Sequence, residues 1–129
     1  MKFTQTGSTY EYAVYLDGNG DGVRTHDINS GVDTALGAPE RLGDQFQGVD
    51  FGVLPGLPSV DTGSAPPGND PIKLGASNLL SFSANGTSST GSLYIKGQRG
   101  TQYVIRVFGV TGKTRVLKFS RSTQLWHPL

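Results

Sequence analysis

Leu79-Leu-Ser-Phe-Ser-Ala-Asn-Gly-Thr-Ser-Ser-Thr-Gly-Ser-Leu-Tyr-Ile-Lys96 is the stretch on which the reading of this chain turns. Apolar side chains fall at alternate positions on both sides of a centre of Asn, Gly, Ser and Thr: Leu80, Phe82 and Ala84 before it, Leu93 and Ile95 after it. Period two is the spacing of a pleated strand with one buried face, so the stretch predicts a β-hairpin. Two further alternating runs, Tyr103 to Phe108 and Thr114 to Phe119, follow after short glycine-containing breaks. The expectation is a meander of four consecutive strands.

Working outward, Lys2 to Thr6 and Thr9 to Leu16 predict a second hairpin about Gly7-Ser8, with Tyr10, Tyr12, Val14 and Leu16 in alternation. Residues 25–44 read as irregular, with one helical turn started by proline at Pro39-Glu-Arg-Leu42. Phe46 to Leu54 predicts a strand and Ile72 to Leu74 a short one; between them, residues 55–71 gather most of the prolines into a long surface loop. Nineteen glycines and seven prolines in 129 residues argue for many turns and against long helices. The length suits one domain, residues 1–129, with a core of its own.

Composition excludes several kinds of chemistry. A formal charge of +1 gives no general attraction to nucleic acid or acidic membranes, so any such binding must be local. The absence of cysteine removes disulfides, thiolate metal sites and cysteine nucleophiles, and does not identify a compartment. No apolar run approaches the roughly 20 residues of a bilayer span, and no signal peptide follows Met1. The start at Met1, directly inside a candidate strand, predicts that a native segment precedes it. Nucleotide-binding loops, HExxH and nucleophile elbows are missing, and His26 and His127 lie far apart without a motif, so catalysis is not expected.

Two clusters carry the remaining chemistry. Asp17-x-Asn19-x-Asp21-Gly22-Val23 matches the first half of an EF-hand-type Ca²⁺ loop, with the Val23 carbonyl at the seventh position. Ile28 occupies the twelfth position, where a bidentate Glu belongs, and Asp27 or Asp33 would have to substitute for it. The other reading of the segment is an Asx and Gly turn without metal, and both stand. If an ion binds, its expected role is a structural clip. The second cluster is basic. Lys96, Arg99, Arg106, Lys113, Arg115, Lys118 and Arg121 fall in the last third, while most acidic residues precede Lys73. Strand alternation predicts that some of these cations share a face, either as ordinary solvated charge or as phosphate contacts to DNA. The lone Trp126, near the end, reads as closing a core or touching a ligand.

Taken in order, Phe82-Ser-Ala-Asn-Gly86, Gly91-Ser-Leu-Tyr-Ile95, Tyr103-Val-Ile-Arg-Val107, Thr111-Gly-Lys-Thr-Arg115 and Trp126 resemble the GspH/FimT family of type IV pilin-like proteins. The segment Tyr10 to Gly22 looks like one branch of that family. The resemblance implies a mainly β fold, a pilin-like sandwich of two antiparallel sheets with at most short helical turns, carried on a long N-terminal helix absent from this chain. It further implies a minor pilin, or a pseudopilin of type II secretion, anchored in the bacterial inner membrane, with this domain in the periplasm or an extracellular pilus. The implied partners are other pilin or pseudopilin subunits. Some members bind DNA in natural transformation through a Gly-Arg-x-Arg element, matched here by Gly112, Lys113 and Arg115, with Lys in place of the first Arg. A DNA-binding minor pilin acting through Lys113, Arg115, Lys118 and Arg121 is therefore the first alternative. A secreted Ca²⁺-stabilised sandwich that grips a polymer or glycan with the Pro/Gly loop and Trp126 is the second.

Overall fold

The computed structural model describes residues 1–129. β1 (Lys2–Thr6) and β2 (Thr9–Ala13) form the expected N-terminal hairpin, with Lys2 opposite Ala13 and Thr6 opposite Thr9. Gly7, at φ 64°, opens its two-residue turn in a conformation that a side chain would resist. β3 (Tyr15–Leu16) continues the chain and pairs with β4 (Thr34–Ala35) in a separate two-stranded ribbon.

Between the two ribbon strands the expectation of irregular chain is corrected: residues Thr25–Ser30 form a short helix, α1. Its sequence, THDINS, has little helical propensity of its own. What holds it is a local C-terminal clasp, because the Asp27 carbonyl accepts N–H groups from both Val32 (2.9 Å) and Asp33 (3.0 Å), and Gly31 at φ 80° closes the end. α2 (Leu42–Gln45) is a single turn that begins where the expected Pro39–Leu42 turn was to end. Only β5 (Asp50–Phe51) forms from the expected strand between Phe46 and Leu54.

The main sheet contains β5, β6 (Ile72–Lys73), β7 (Gly91–Lys96), β8 (Gln102–Phe108), β9 (Lys113–Ser120) and β10 (Leu125–Pro128). All pairs are antiparallel, in the order β10-β9-β8-β7-β5, with β6 end to end with β5 on the same edge of β7. A four-strand meander does form, but it runs from β7 to β10 and recruits the tail. The predicted hairpin from Leu79 to Lys96 does not exist. Leu79 and Leu80 pair backwards with the N-terminus, where Met1 and Leu80 exchange reciprocal hydrogen bonds of 2.7 and 2.9 Å. Phe82 bridges Ser88 across a small loop at Asn85-Gly86. The serines explain this outcome: Ser89 Oγ receives the Ser81 N–H and donates to the Leu79 carbonyl, both at 3.0 Å, and so takes backbone groups that a ladder would need.

The protein is therefore mainly β, antiparallel, with short helical turns. Alternation along β7 and β8 gives the sheet two apolar faces. On the first, Leu93 and Val107 pack with Phe3, Tyr10, Phe51, Ile72, Leu74 and Leu80 beneath the N-terminal hairpin. On the second, Tyr94, Val104 and Leu117 form one rung across three strands, covered by Val53, Val60 and Trp126. The second cover is thus the Pro/Gly loop, rather than another broad sheet. Gln102, only 1% exposed, ties that loop down. Its Oε1 accepts the Leu54 N–H at 2.9 Å, while its Nε2 donates to the carbonyls of Gly52, Ile95 and Tyr103 at 3.0–3.1 Å.

Gly91 stands where β6 crosses close to β7, and a Cβ there would run into the Lys73 carbonyl and the Leu74 side chain. Backbone cannot swing aside as a flexible side chain would. Gly91→Ala is expected to destabilise the domain by about 3 kcal/mol. A denaturant midpoint unchanged from the parent would refute the close approach.

Candidate functional site

The Asp17 segment folds as a clasp. Asp17 Oδ1 accepts the N–H groups of Asn19 (3.1 Å) and Gly20 (2.8 Å), and its Oδ2 accepts that of Gly22 (2.8 Å). These bonds, Gly22 foremost, hold the Asp17 carboxyl below its ordinary range. Asn19 Oδ1 accepts the Asp21 N–H, and Asp21 reaches Arg24 at 3.6 Å. Asp33, 2% exposed, closes the base: one oxygen accepts the Gly18 N–H and the other the Arg24 N–H, both at 2.9 Å. Asp27 is buried on α1.

Ca²⁺ asks for six to eight oxygens turned toward one point. Asp17 and Asp33 instead face backbone N–H groups, and no three His, Cys, Asp or Glu side chains gather at metal-holding distance. As the side chains lie, Asp17, Asn19 and Asp33 build an Asx clasp that fastens β3 to α1, with Asp21, Val23 and Asp27 beside it.

The four cations singled out for DNA do not converge. Lys113 and Arg115 share one face of β9, with Arg115 opposite Arg106. Both line a hollow of about 560 Å³ beside the β8–β9 turn, together with Phe108 and Val110. Lys118 stands on the opposite face, 5.9 Å from the centre of the Tyr103 ring, and Arg121 follows β9 in the next turn, against Gly100. Arg106 pairs with Asp61 at 2.5 Å. Trp126 packs on Phe119 (5.3 Å between ring centres) and Tyr94 (6.1 Å), and its indole N–H donates to the Pro58 carbonyl at 3.2 Å. That bond pins the Pro/Gly loop to the sheet.

An opening lined almost wholly by apolar side chains was not singled out from sequence. On the first face of the sheet a groove of about 320 Å³ opens, with Met1, Leu42, Ile95 and Ile105 along it and Phe3 and Phe51 at its floor. Alternation identified these residues as the inner face of strands. What it could not convey is that the hairpin is too narrow to cover that face, since β1 and β2 carry only five residues each. Tyr12 forms part of the rim.

Burial holds the Tyr10, Tyr12 and Tyr94 phenols above their ordinary value of 10.0, with Asp70 adding to the shift at Tyr10 and Glu40 at Tyr12. A raised folded pKa means that the unfolded chain ionises first, so this contribution is complete below about pH 10 and is lost as pH rises further. The domain is expected to show a falling denaturant midpoint on the alkaline side of 10, less steep in Tyr10→Phe. A midpoint flat through that range would contradict the burial.

No family model, curated protein or solved structure matches this chain.

Proposed function

We propose that this chain is the β-rich head of a minor pilin or pseudopilin, a structural and interaction subunit of a type IV pilus or type II secretion pseudopilus, with no reaction of its own. The observation that carries the reading is the open apolar groove beside Met1. It has the chemistry to receive the apolar side of an amphipathic helix, and Met1 lies on its rim, so a segment preceding that residue would enter it directly. The Met1 amine, half-buried and held below its ordinary value of 8.0 by that burial, already donates to the Leu80 carbonyl, as a peptide N–H at that position would. The order of motifs from Phe82 to Trp126 supports the same assignment.

The test extends the chain with the residues encoded immediately upstream of Met1. The extended protein is expected to melt higher than the 129-residue chain and to protect Ile95 and Ile105 from hydrogen exchange. A conventional cleaved signal peptide upstream, or an extension that leaves both the melt and the protection unchanged, would overturn the proposal.

A further inference from the structure

Val110 is the most exposed large apolar side chain in the protein, at 88%, and it stands in the turn between β8 and β9. Tight turns favour Gly, Asn, Asp and Ser, so a stiff β-branched residue there has no conformational reason to be chosen. Phe108, also exposed, ends β8 just before it. Behind this apolar tip stand two cations. Lys113 lies opposite Phe108 in the ladder, and Arg115 follows on the same face one strand period, about 7 Å, further back. Both are exposed, and neither is in an ion pair.

Nothing acidic balances them. Residues 71–129, which supply both strands and the segment 88–90 that packs on the turn, contain no Asp or Glu. No carboxylate lines the hollow of about 560 Å³ at the tip, whose polar wall is Lys113, Arg115 and the hydroxyls of Thr90, Thr111 and Thr114. Asp61, the carboxylate that does reach β8, is bonded to Arg106. The backbone of the turn is also partnered from within. Gly109 N–H donates to Thr90 Oγ1 at 3.0 Å, the Gly109 carbonyl accepts the Ser88 N–H at 2.8 Å, and the Phe108 carbonyl accepts the Gly112 N–H at 2.8 Å. A tip so closed loses few hydrogen bonds on leaving water.

We propose that the β8–β9 tip docks on an anionic lipid bilayer, with Val110 and Phe108 entering the headgroup layer and Lys113 and Arg115 binding the lipid phosphates. The order of groups along the hairpin selects this occupant. In a bilayer the acyl boundary lies beneath the phosphates, so an apolar group that leads passes the phosphate level and leaves the following cations at it. A nucleic acid duplex carries its phosphates outermost, where they would meet Val110 first. With a formal charge of only +1 the chain has no long-range pull toward a membrane, so the contact is local to the tip. The inference does not rest on the pilin-like reading, because it needs neither a segment before Met1 nor the groove beside it.

Co-sedimentation with phosphatidylcholine vesicles, with and without phosphatidylglycerol, at low and high salt, tests it. The parent chain is expected to bind only the vesicles that contain phosphatidylglycerol and to be released as salt rises. Val110→Asp, and separately Lys113→Glu with Arg115→Glu, are each expected to weaken binding at least about tenfold. Lys118→Glu with Arg121→Glu, which makes the same change in charge away from the tip, is expected to weaken it much less. Val110→Trp is expected to shift its emission to the blue when those vesicles are added. All five positions are exposed, and unchanged circular dichroism checks that the variants fold. A parent that does not bind the anionic vesicles at low salt, binding indifferent to Val110→Asp or to the Lys113 and Arg115 reversal, equal loss in the Lys118 and Arg121 reversal, or an unshifted Val110→Trp emission would overturn the proposal. So would a parent that binds a duplex oligonucleotide but not the vesicles, which would assign the cations to nucleic acid.

Discussion

Asp33→Ala is expected to lower stability by about 3–5 kcal/mol, because it removes two buried charge-assisted hydrogen bonds and leaves the Gly18 and Arg24 N–H groups without partners. Those groups bracket the Asp17 clasp, so the loss is local before it is global. Hydrogen exchange should accelerate through residues 17–34 first, and the denaturant midpoint should follow. Asp33→Asn retains one acceptor oxygen but turns an amide donor toward a second donor, so it should recover only part of the loss. Asp17→Ala, which removes bonds at an exposed site, should cost far less. A drop that added Ca²⁺ reverses would place a metal in the loop. An Asp33→Ala protein as stable as its parent would show that the carboxylate does not brace it.

Phe3→Ala should be comparably severe, at about 3–5 kcal/mol. Phe3 is 1% exposed and meets Phe51 edge-on at 5.3 Å and Tyr12 at 6.4 Å, so it joins the hairpin to the main sheet at the floor of the groove. Truncation leaves a cavity in the only layer that covers the first face. Phe3→Leu should recover much of the loss by refilling volume, although without the edge-to-face contact. The measurement is a denaturant titration followed by near-ultraviolet circular dichroism. A cost below about 1 kcal/mol would mean that the hairpin is not fastened through this ring.

The sequence was most legible where local pattern and burial agree. Tyr103 to Phe108 and Thr114 to Phe119 became β8 and β9 within a residue or two, and Gly7-Ser8 turned the first hairpin as expected. Mainly β architecture followed from those runs and from the glycine content. The segment from Leu80 to Ala84 had the same alternation but lost its partner, because the free edge of β7 was taken by β5 and β6, pairings separated by many residues that no local pattern reveals. The helix at Thr25–Ser30 was invisible for another reason: its residues do not favour a helix, and it is closed by backbone bonds from Val32 and Asp33, just past its end, to the Asp27 carbonyl. Among candidate sites, spacing picked out the Asp17 loop as a unit but not the direction its carboxylates face. Nor could the run of cations show that Lys113 and Lys118 would stand on opposite faces of one strand.

The core beneath the hairpin joins Phe3 and Tyr10 to Leu93 and Val107. A ribosome delivers these pieces in the wrong order for packing: the first hairpin emerges with its aromatic side bare, and the strands that cover it are synthesised last. The β7–β10 meander contains only neighbouring pairs and can assemble quickly once complete. The nascent chain therefore spends most of its synthesis with Phe3, Tyr10 and Phe51 exposed, and it acquires its first core only in the final third. Any slowing of translation beyond Val107 would leave a nearly finished domain, whereas a pause before Gly91 would leave a sticky one.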